Sequence, residues 1–249
     1  MLAIQLDDRA LFLARWQQRL MDLLDARALD GHPARAQARE QVSAWSAHAR
    51  TDDVGYRIVR EFRNKAIELT MAPLATLLQA KDPEFRLQHV VRQIEYPAWA
   101  LLEARPVHFL NPDFASWEAL ELAALDQVLE PLWMDKTLAN DSWGKANAVQ
   151  IRHPMAGALP VLDWWLSMPE TPLGGDSHMP RVQSPRFGAS ERFAVSPGRE
   201  SEGYFHMPTG QSAHPLSPFF GKGHEDWVLG RPSPWLPGEP AHRLRLLPP

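Results

Sequence analysis

The sequence of 249 residues contains no cysteine, which excludes disulfide bonds, thiolate metal sites and cysteine nucleophiles. Long apolar runs are also missing, because no stretch approaches the roughly 20 residues of a membrane-spanning helix. The apolar residues ahead of Asp7 and Asp8 are too few for the core of a signal peptide. A net charge of −4 provides no broad cationic surface. We therefore expect neither a nucleic-acid partner nor a membrane partner.

Tryptophan and proline are unusually frequent, with ten and 23 residues. Most prolines and most glycines lie beyond residue 150, and this shift in composition divides the chain. We predict a helical segment over residues 1–142 and a strand-containing segment over residues 143–249. A chain of this length suits one large domain or two modest ones.

Apolar residues recur at helical spacing in the first segment. Helices are predicted over residues 10–24, 34–50, 85–95, 99–103 and 114–129. A further helix is predicted to follow a cap at residues 51–53, with a buried side formed by Ile58, Phe62, Ala66 and Leu69. Pro73 is predicted to break or restart that helix, because proline removes a backbone donor.

The apolar period changes after residue 144 from helical to alternating. Short strands are predicted between proline-rich turns, over residues 148–152, 192–195, 203–207 and 243–247. The sequence therefore predicts an α+β fold with a helical N-terminal half followed by short strands.

Residues 208–218 read Pro-Thr-Gly-Gln-Ser-Ala-His-Pro-Leu-Ser-Pro, a loop in which almost every position constrains the backbone. This loop resembles the P-G-G-Q-S-G-x-P-x-S-P-x-Y segment of the penicillin acylase (penicillin amidase) family, with Thr209 and Ala213 in place of glycines. Residues 187–195 resemble the family's F-G-x-S-x-R-x-V, and residues 1–9 resemble its I-Q-x-D segment. The resemblance spans essentially the whole chain.

The resemblance implies an N-terminal-nucleophile (Ntn) hydrolase. In that family, strands such as those predicted here complete an αββα sandwich, and the helical segment lies on its flank. The implied reaction is hydrolysis of linear amides, such as β-lactam side chains, N-acyl-homoserine lactones or similar acyl amides. The implied location is the periplasm, although the chain as given carries no export signal and is expected in the cytoplasm if expressed alone.

The family's nucleophile, its histidine and its oxyanion-binding residues all lie upstream of the segments that are matched here. This sequence begins with Met1 and Leu2. Removal of Met1 would make Leu2 the first residue, and leucine has no nucleophilic atom. We therefore expect the C-terminal part of a β subunit, inactive alone. Its implied partners are the α chain, the N-terminal part of the β chain and a small acyl-amide substrate. The alternative is a non-catalytic remnant or binding module that keeps part of the fold.

Two carboxylates are candidates for a supporting catalytic role. Acylases of the cephalosporin-cleaving branch use a carboxylate from the C-terminal region to orient the catalytic histidine, as the third member of a triad does. The resemblance makes Glu191 the first candidate and Asp176 the second. The alternative is a surface carboxylate paired with Arg192 or Arg181.

Other polar residues have simpler interpretations. Residues 210–214 lack the second glycine of a Gly-x-Ser-x-Gly elbow, so Ser212 is expected to hydrogen-bond the loop backbone; a hydrolase that uses Ser212 as its nucleophile is the weaker option. His206, His214 and His224 match no zinc-binding spacing and are expected to be hydrogen-bonded loop residues. No metal and no cofactor are expected.

The tryptophans at 133, 143, 164 and 165 are expected in the core, with an acyl-binding pocket as the alternative.

Overall fold

The computed structural model describes residues 1–89 and 94–246 and has an α+β fold, as predicted. The chain divides into two compact units. Residues Arg9–Ala146 form the helical unit, and Met1–Asp8 together with Asn147–Pro249 form the loop-rich unit. The sandwich and the division at residue 142 stay predictions.

Ten α-helices are found in the described ranges, most of them short. In chain order they are α1 (Leu2–Gln5), α2 (Ala14–Leu23), α3 (Ala26–Leu29), α4 (Pro33–Ser43), α5 (Val54–Gln79), α6 (Glu95–Ala104), α7 (Trp117–Leu129), α8 (Trp143–Ala146), α9 (Asp163–Leu166) and α10 (His224–Leu229). Single 3-10 turns lie at Leu11–Leu13, Leu87–His89, Val107–Phe109, Pro154–Ala156, Pro160–Leu162 and Glu200–Glu202. Among the described residues, no helix combines the length and the apolar character needed to cross a membrane.

Helix α5 is the centre of the helical unit and packs against α4, α6 and α7. Its cap is the predicted one, because the Asp53 side chain accepts a hydrogen bond from the Tyr56 backbone N–H at 2.6 Å. The buried side of the helix includes Ile58, Phe62 and Ala66, as predicted. The buried stripe is wider than predicted, because Val59 and Ile67 are also buried.

The predicted break at Pro73 is wrong, because Pro73 lies inside α5. Proline has no N–H to donate to the carbonyl four residues earlier, which here belongs to Leu69. The side-chain amide of Asn111 donates to that carbonyl instead, at 3.1 Å. The helix therefore continues through the proline with its carbonyl satisfied by a distant residue.

Other helix boundaries differ from the predictions. Helix α7 begins after Ser116, whose hydroxyl accepts from the Ala119 N–H at 3.0 Å, so its start lies three residues beyond the predicted 114. Helix α4 ends at Ser43 rather than at residue 50. The helix predicted over 85–95 is replaced by a 3-10 turn at Leu87–His89 and the first residue of α6; residues 90–93 of that prediction lie outside the described residues.

The loop-rich unit contains two small antiparallel sheets. Strand β1 (Gln183–Ser184) pairs with β2 (Phe187–Gly188). Strand β3 (Arg192–Ala194) pairs with β4 (Tyr204–His206), with Phe193 opposite Phe205. The β3–β4 ribbon confirms the strands predicted over 192–195 and 203–207.

The strand predicted over residues 148–152 is wrong: only isolated bridges form there, at Ala148–Pro172 and Arg152–Ser167. The facing segment contains Pro169 and Pro172, which cannot donate to a longer ladder. Residues 243–246 form no strand, and residue 247 of that prediction lies outside the described part. The unit has its own small core of Val149, Leu173, Trp227 and Val228.

Candidate functional site

Asp176, the second candidate carboxylate, stabilises a tight turn in the loop-rich unit. Its buried side chain accepts hydrogen bonds from the Ser177 N–H at 2.6 Å and the Ser177 hydroxyl at 3.0 Å. The preceding residue, Gly175, has φ of +83°, and a Cβ there would lie 2.2 Å from the Arg181 carbonyl oxygen. The turn therefore requires glycine, and Asp176 satisfies its backbone.

Glu191, the first candidate, is exposed and immediately precedes β3. The predicted alternative of an ion pair with Arg192 or Arg181 is not found for Glu191 among the described residues. Arg192 points to the opposite, buried face of the ribbon, as alternation along a strand requires. Arg181 pairs instead with Asp8, at 3.5 Å. The catalytic roles of Glu191 and Asp176 stay predictions.

Arg192 is the polar residue of this unit that sequence reasoning missed. It is only 2% exposed, and its Nη1 donates to the Trp227 carbonyl at 2.9 Å. Its Cζ lies 5.3 Å from the centroid of the Trp227 ring. Its Nε and Nη2 have no hydrogen-bond partner in the described part of the chain. Arg192 is therefore a buried cation in which two of the three guanidinium nitrogens have no hydrogen-bond partner among the described residues.

Burial lowers the pKa of the Arg192 guanidinium, and the neighbouring charge of Arg181 lowers it further, to about 10. The interaction with Tyr204 acts in the opposite direction. At neutral pH Arg192 therefore keeps its positive charge. Alternation along β3 is the sequence signal that could have identified Arg192. Arg192 and Ala194 lie on the face opposite Phe193, and that face is the more buried one.

A buried polar network holds the carboxyl end of α10 beside Arg192. The Trp227 and Val228 carbonyls belong to the last turn of this helix and have no partner within it. Gln183 Nε2 donates to the Trp227 carbonyl at 3.1 Å, and Arg181 Nη2 donates to that of Val228 at 3.1 Å. Arg181 Nε also donates to Gln183 Oε1 at 2.7 Å. Cations near the negative end of the helix dipole are favourable there.

Two histidines next to this network are hydrogen-bonded, as predicted. His206 Nε2 lies 2.5 Å from the Arg231 carbonyl oxygen, and His224 Nδ1 lies 2.6 Å from that of Pro208. Because a carbonyl only accepts, each of these ring nitrogens carries a proton. Burial lowers the pKa of His206, so its ring is neutral at neutral pH. Within the described ranges, no group of three or more His, Asp or Glu side chains is placed to hold a metal ion.

The loop at residues 208–218 is shaped by its own side chains. Ser212 Oγ accepts from the His214 N–H at 3.1 Å, which confirms its predicted bond to the loop backbone. His214 Nδ1 in turn accepts from the Leu216 N–H at 3.2 Å. Nδ1 of His214 therefore already accepts a hydrogen bond within its own turn, so this nitrogen does not take the proton from the Ser212 hydroxyl.

The tryptophans have different environments. In the helical unit Trp143 is buried, as predicted, with its ring centroid 5.1 Å from that of Tyr56. In the loop-rich unit Trp164 is 81% exposed and Trp165 is 37% exposed, so the core prediction is wrong for both residues. Trp133 lines a cavity of about 420 Å³ in the helical unit. A second cleft of that unit, about 440 Å³, contains Trp99 beside the ion pair of Arg19 and the fully buried Glu121.

The family model described as penicillin amidase matches residues 1–242. No curated protein matches the chain. Because the matched residues cover nearly the whole sequence, the chain belongs to the penicillin amidase family, a family of acyl-amide hydrolases.

Proposed function

We propose that this chain is the C-terminal part of an enzyme that hydrolyses linear acyl amides: β-lactam side chains, N-acyl-homoserine lactones or similar compounds. It acts with the remaining part of the acylase, namely the α chain and the N-terminal part of the β chain. That remaining part supplies the nucleophile, and the assembled enzyme works in the periplasm. Family membership supports the reaction class, and the β3–β4 ribbon supports the assembly.

One face of the ribbon carries an uncovered aromatic cluster, and this observation carries the proposal. Phe193 stacks on Trp235 with ring centroids 5.6 Å apart, and Phe205 meets Trp235 edge-on at 5.8 Å. The side chains of Phe193 and Trp235 are nevertheless exposed. Exposed aromatic patches of this kind mark surfaces that another protein element covers. We call Phe193, Phe205 and Trp235 the aromatic face.

The two edges of the ribbon differ. The outer edge of β4 is covered, because the Phe205 N–H donates to the Ser233 carbonyl at 3.1 Å. The outer edge of β3 is only partly covered: α1 packs against this strand, and the Phe193 carbonyl accepts an exposed hydrogen bond of 3.5 Å from the Gln5 side chain. Because this contact is a side-chain bond and not a strand ladder, we call it the open edge, and such an edge beside an apolar face favours pairing with a further strand. The remaining part of the acylase is the proposed source of that strand.

Glu191 lies at the start of this ribbon and has the exposure that a supporting role requires. In the assembled enzyme the nucleophile attacks the acyl carbon, the amine leaves with a proton, and water then releases the carboxylic acid. Glu191 would hold the catalytic histidine in orientation, as the carboxylate of a triad does. Since Glu191 makes no ion pair within the described residues, its carboxylate is free for that contact.

The test begins with the protein purified from its native cell. We expect an intact mass above that of residues 1–249, a co-purifying chain of the same family, and release of p-nitroaniline from phenylacetyl or decanoyl p-nitroanilide. Glu191→Gln should lower kcat about tenfold to a hundredfold, whereas the exposed Glu239→Gln serves as the matched control. A mass equal to residues 1–249 without amide hydrolysis would establish the alternative, a non-catalytic binding module. Activity that is unchanged in Glu191→Gln would remove only the role of Glu191.

A further inference from the structure

The unused edge of Arg192 has a defined chemical preference. Nε and Nη2 lie on the same side of a guanidinium group, so their N–H bonds are nearly parallel. Parallel donors about 2.3 Å apart match the two oxygens of a carboxylate, which they bind as a bidentate pair. Nη1 is already engaged by the Trp227 carbonyl at 2.9 Å, and the remaining edge is the one suited to a carboxylate.

Three other arginines of this chain bind a carboxylate through that edge, whereas Arg181 fills it with the neutral oxygens of Gln183 and Val228. Arg35 directs Nε and Nη2 to the two oxygens of Asp126, at 2.7 and 2.5 Å. Arg19 directs the same two nitrogens to the carboxylate of Glu121. Arg63 directs both to Glu95. These three belong to the helical unit, and each of their edges is filled by a carboxylate.

Arg192 is more buried than any of these three arginines, and its edge is empty of protein partners in the described part of the chain. Its charged neighbour is Arg181, a second cation, whose carboxylate partner is Asp8. A buried guanidinium without a counter-charge is costly, because removal from water is not compensated by attraction. A carboxylate at the free edge would supply two charge-assisted hydrogen bonds and neutralise the charge.

We propose that the Nε–Nη2 edge of Arg192 is a binding site for one carboxylate group. The carboxylate comes from a free carboxylic acid or from an Asp or Glu side chain of the remaining part of the acylase; only the second source rests on the proposed function. Both nitrogens are shielded from solvent, so binding requires local opening of the surrounding loops.

The first experiment measures thermal unfolding of the 249-residue chain against sodium acetate, with acetamide and equal-ionic-strength sodium fluoride as controls. A free-acid site predicts a rise in Tm that grows with the logarithm of acetate concentration above its Kd. Arg192→Met should weaken the apparent acetate affinity at least tenfold. The matched control is Arg186→Met, because Arg186 is an exposed arginine of the same unit with a neutral partner, Gln150.

The second arm detects a side-chain carboxylate. Arg192→Met is introduced into the protein produced in its native host and into the 249-residue chain. A carboxylate from the remaining part predicts that the substitution raises the equilibrium constant for unfolding at least tenfold more in the native assembly than in the chain alone. Absence of an acetate response, together with equal effects of Arg192→Met in both forms, overturns the proposal. Neither arm measures amide hydrolysis, so the inference and the proposed function fail independently.

Discussion

The side-chain amide of Asn111 donates a hydrogen bond to the Leu69 backbone carbonyl, 42 residues earlier in the chain, at 3.1 Å. This carbonyl is the one that Pro73 leaves without a donor inside α5. Asn111 is buried, so water does not readily replace its amide. The pair therefore explains how the longest helix of the unit tolerates a proline.

We expect Asn111→Ala to destabilise the helical unit by about 2 kcal/mol, because the Leu69 carbonyl loses the buried amide that replaces the missing N–H of Pro73. In a Pro73→Ala background the residue at 73 provides an N–H, and the cost of Asn111→Ala should fall by about 1 kcal/mol or more. The double-mutant cycle is measured by urea unfolding. Asn111 Oδ1 also accepts from the Asp113 N–H, and that loss cancels in the cycle. Equal costs in both backgrounds would refute this account.

Gly210 is predicted to be irreplaceable for reasons of space. A Cβ at this position would lie 1.7 Å from the Phe219 carbonyl oxygen and 2.8 Å from the Lys222 nitrogen. Both are backbone atoms, so the loop must move to accept even a methyl group. We expect Gly210→Ala to lower the free energy of unfolding of the loop-rich unit by about 3 kcal/mol.

Gly157→Ala is the control for this substitution, because a Cβ at Gly157 meets no atom within 4 Å. Gly157 also has φ of −67°, which alanine adopts readily. Circular dichroism melts should therefore separate the two variants clearly. Similar Tm values for Gly210→Ala and Gly157→Ala would contradict the close approach of residues 210 and 219.

The ribbon shows what the sequence predicted well. Alternation in residues 192–195 and 203–207 was enough to identify both strands, because one face is buried and the other exposed. The continuity of α5 was not predictable, since the donor that satisfies the carbonyl before Pro73 belongs to a distant residue. The strand predicted over residues 148–152 failed for a related reason: its partner segment contains prolines at 169 and 172 that stop the ladder.

The candidate site was predictable only in part. Glu191 and Asp176 were selected by resemblance, and their surroundings differ in ways that no single sequence reveals: one is exposed, and the other is buried within a turn. Arg192 follows from alternation, because its side chain must face away from Phe193. Its missing carboxylate does not follow, because an ion pair depends on which distant residues the fold brings close.

Glu95 predicts the pH dependence of the helical unit. Burial by itself would raise its pKa, but hydrogen bonds from Arg63, Trp16 and Arg15 outweigh burial and lower the pKa from 4.5 to about 2. A carboxylate whose pKa is lower in the folded than in the unfolded chain stabilises the fold at pH values above its unfolded-state pKa. This contribution is lost as the pH falls from 4.5 towards 2.

We therefore expect Glu95→Gln to cost about 2 kcal/mol at pH 7, and we expect the difference from the wild type to shrink below pH 4.5. Urea unfolding at a series of pH values measures this directly. Glu84→Gln, at an exposed position of the same unit, should show no such dependence. A Glu95→Gln cost that is constant down to pH 2.5 would contradict the assigned charge network.

The aromatic face provides the test that connects the fold to assembly. We expect Phe193→Ser to weaken association with the remaining part of the acylase at least tenfold, because burial of a phenylalanine contributes roughly 1.5–3 kcal/mol. Phe187→Ser is the matched control: Phe187 is 64% exposed, Phe193 is 46% exposed, and both lie in short strands of the same unit. Sedimentation of the protein from its native host measures association, and amide hydrolysis measures its consequence. If both serine variants assemble as well as the wild type, the aromatic face is not the contact, and the open edge of β3 alone must account for assembly.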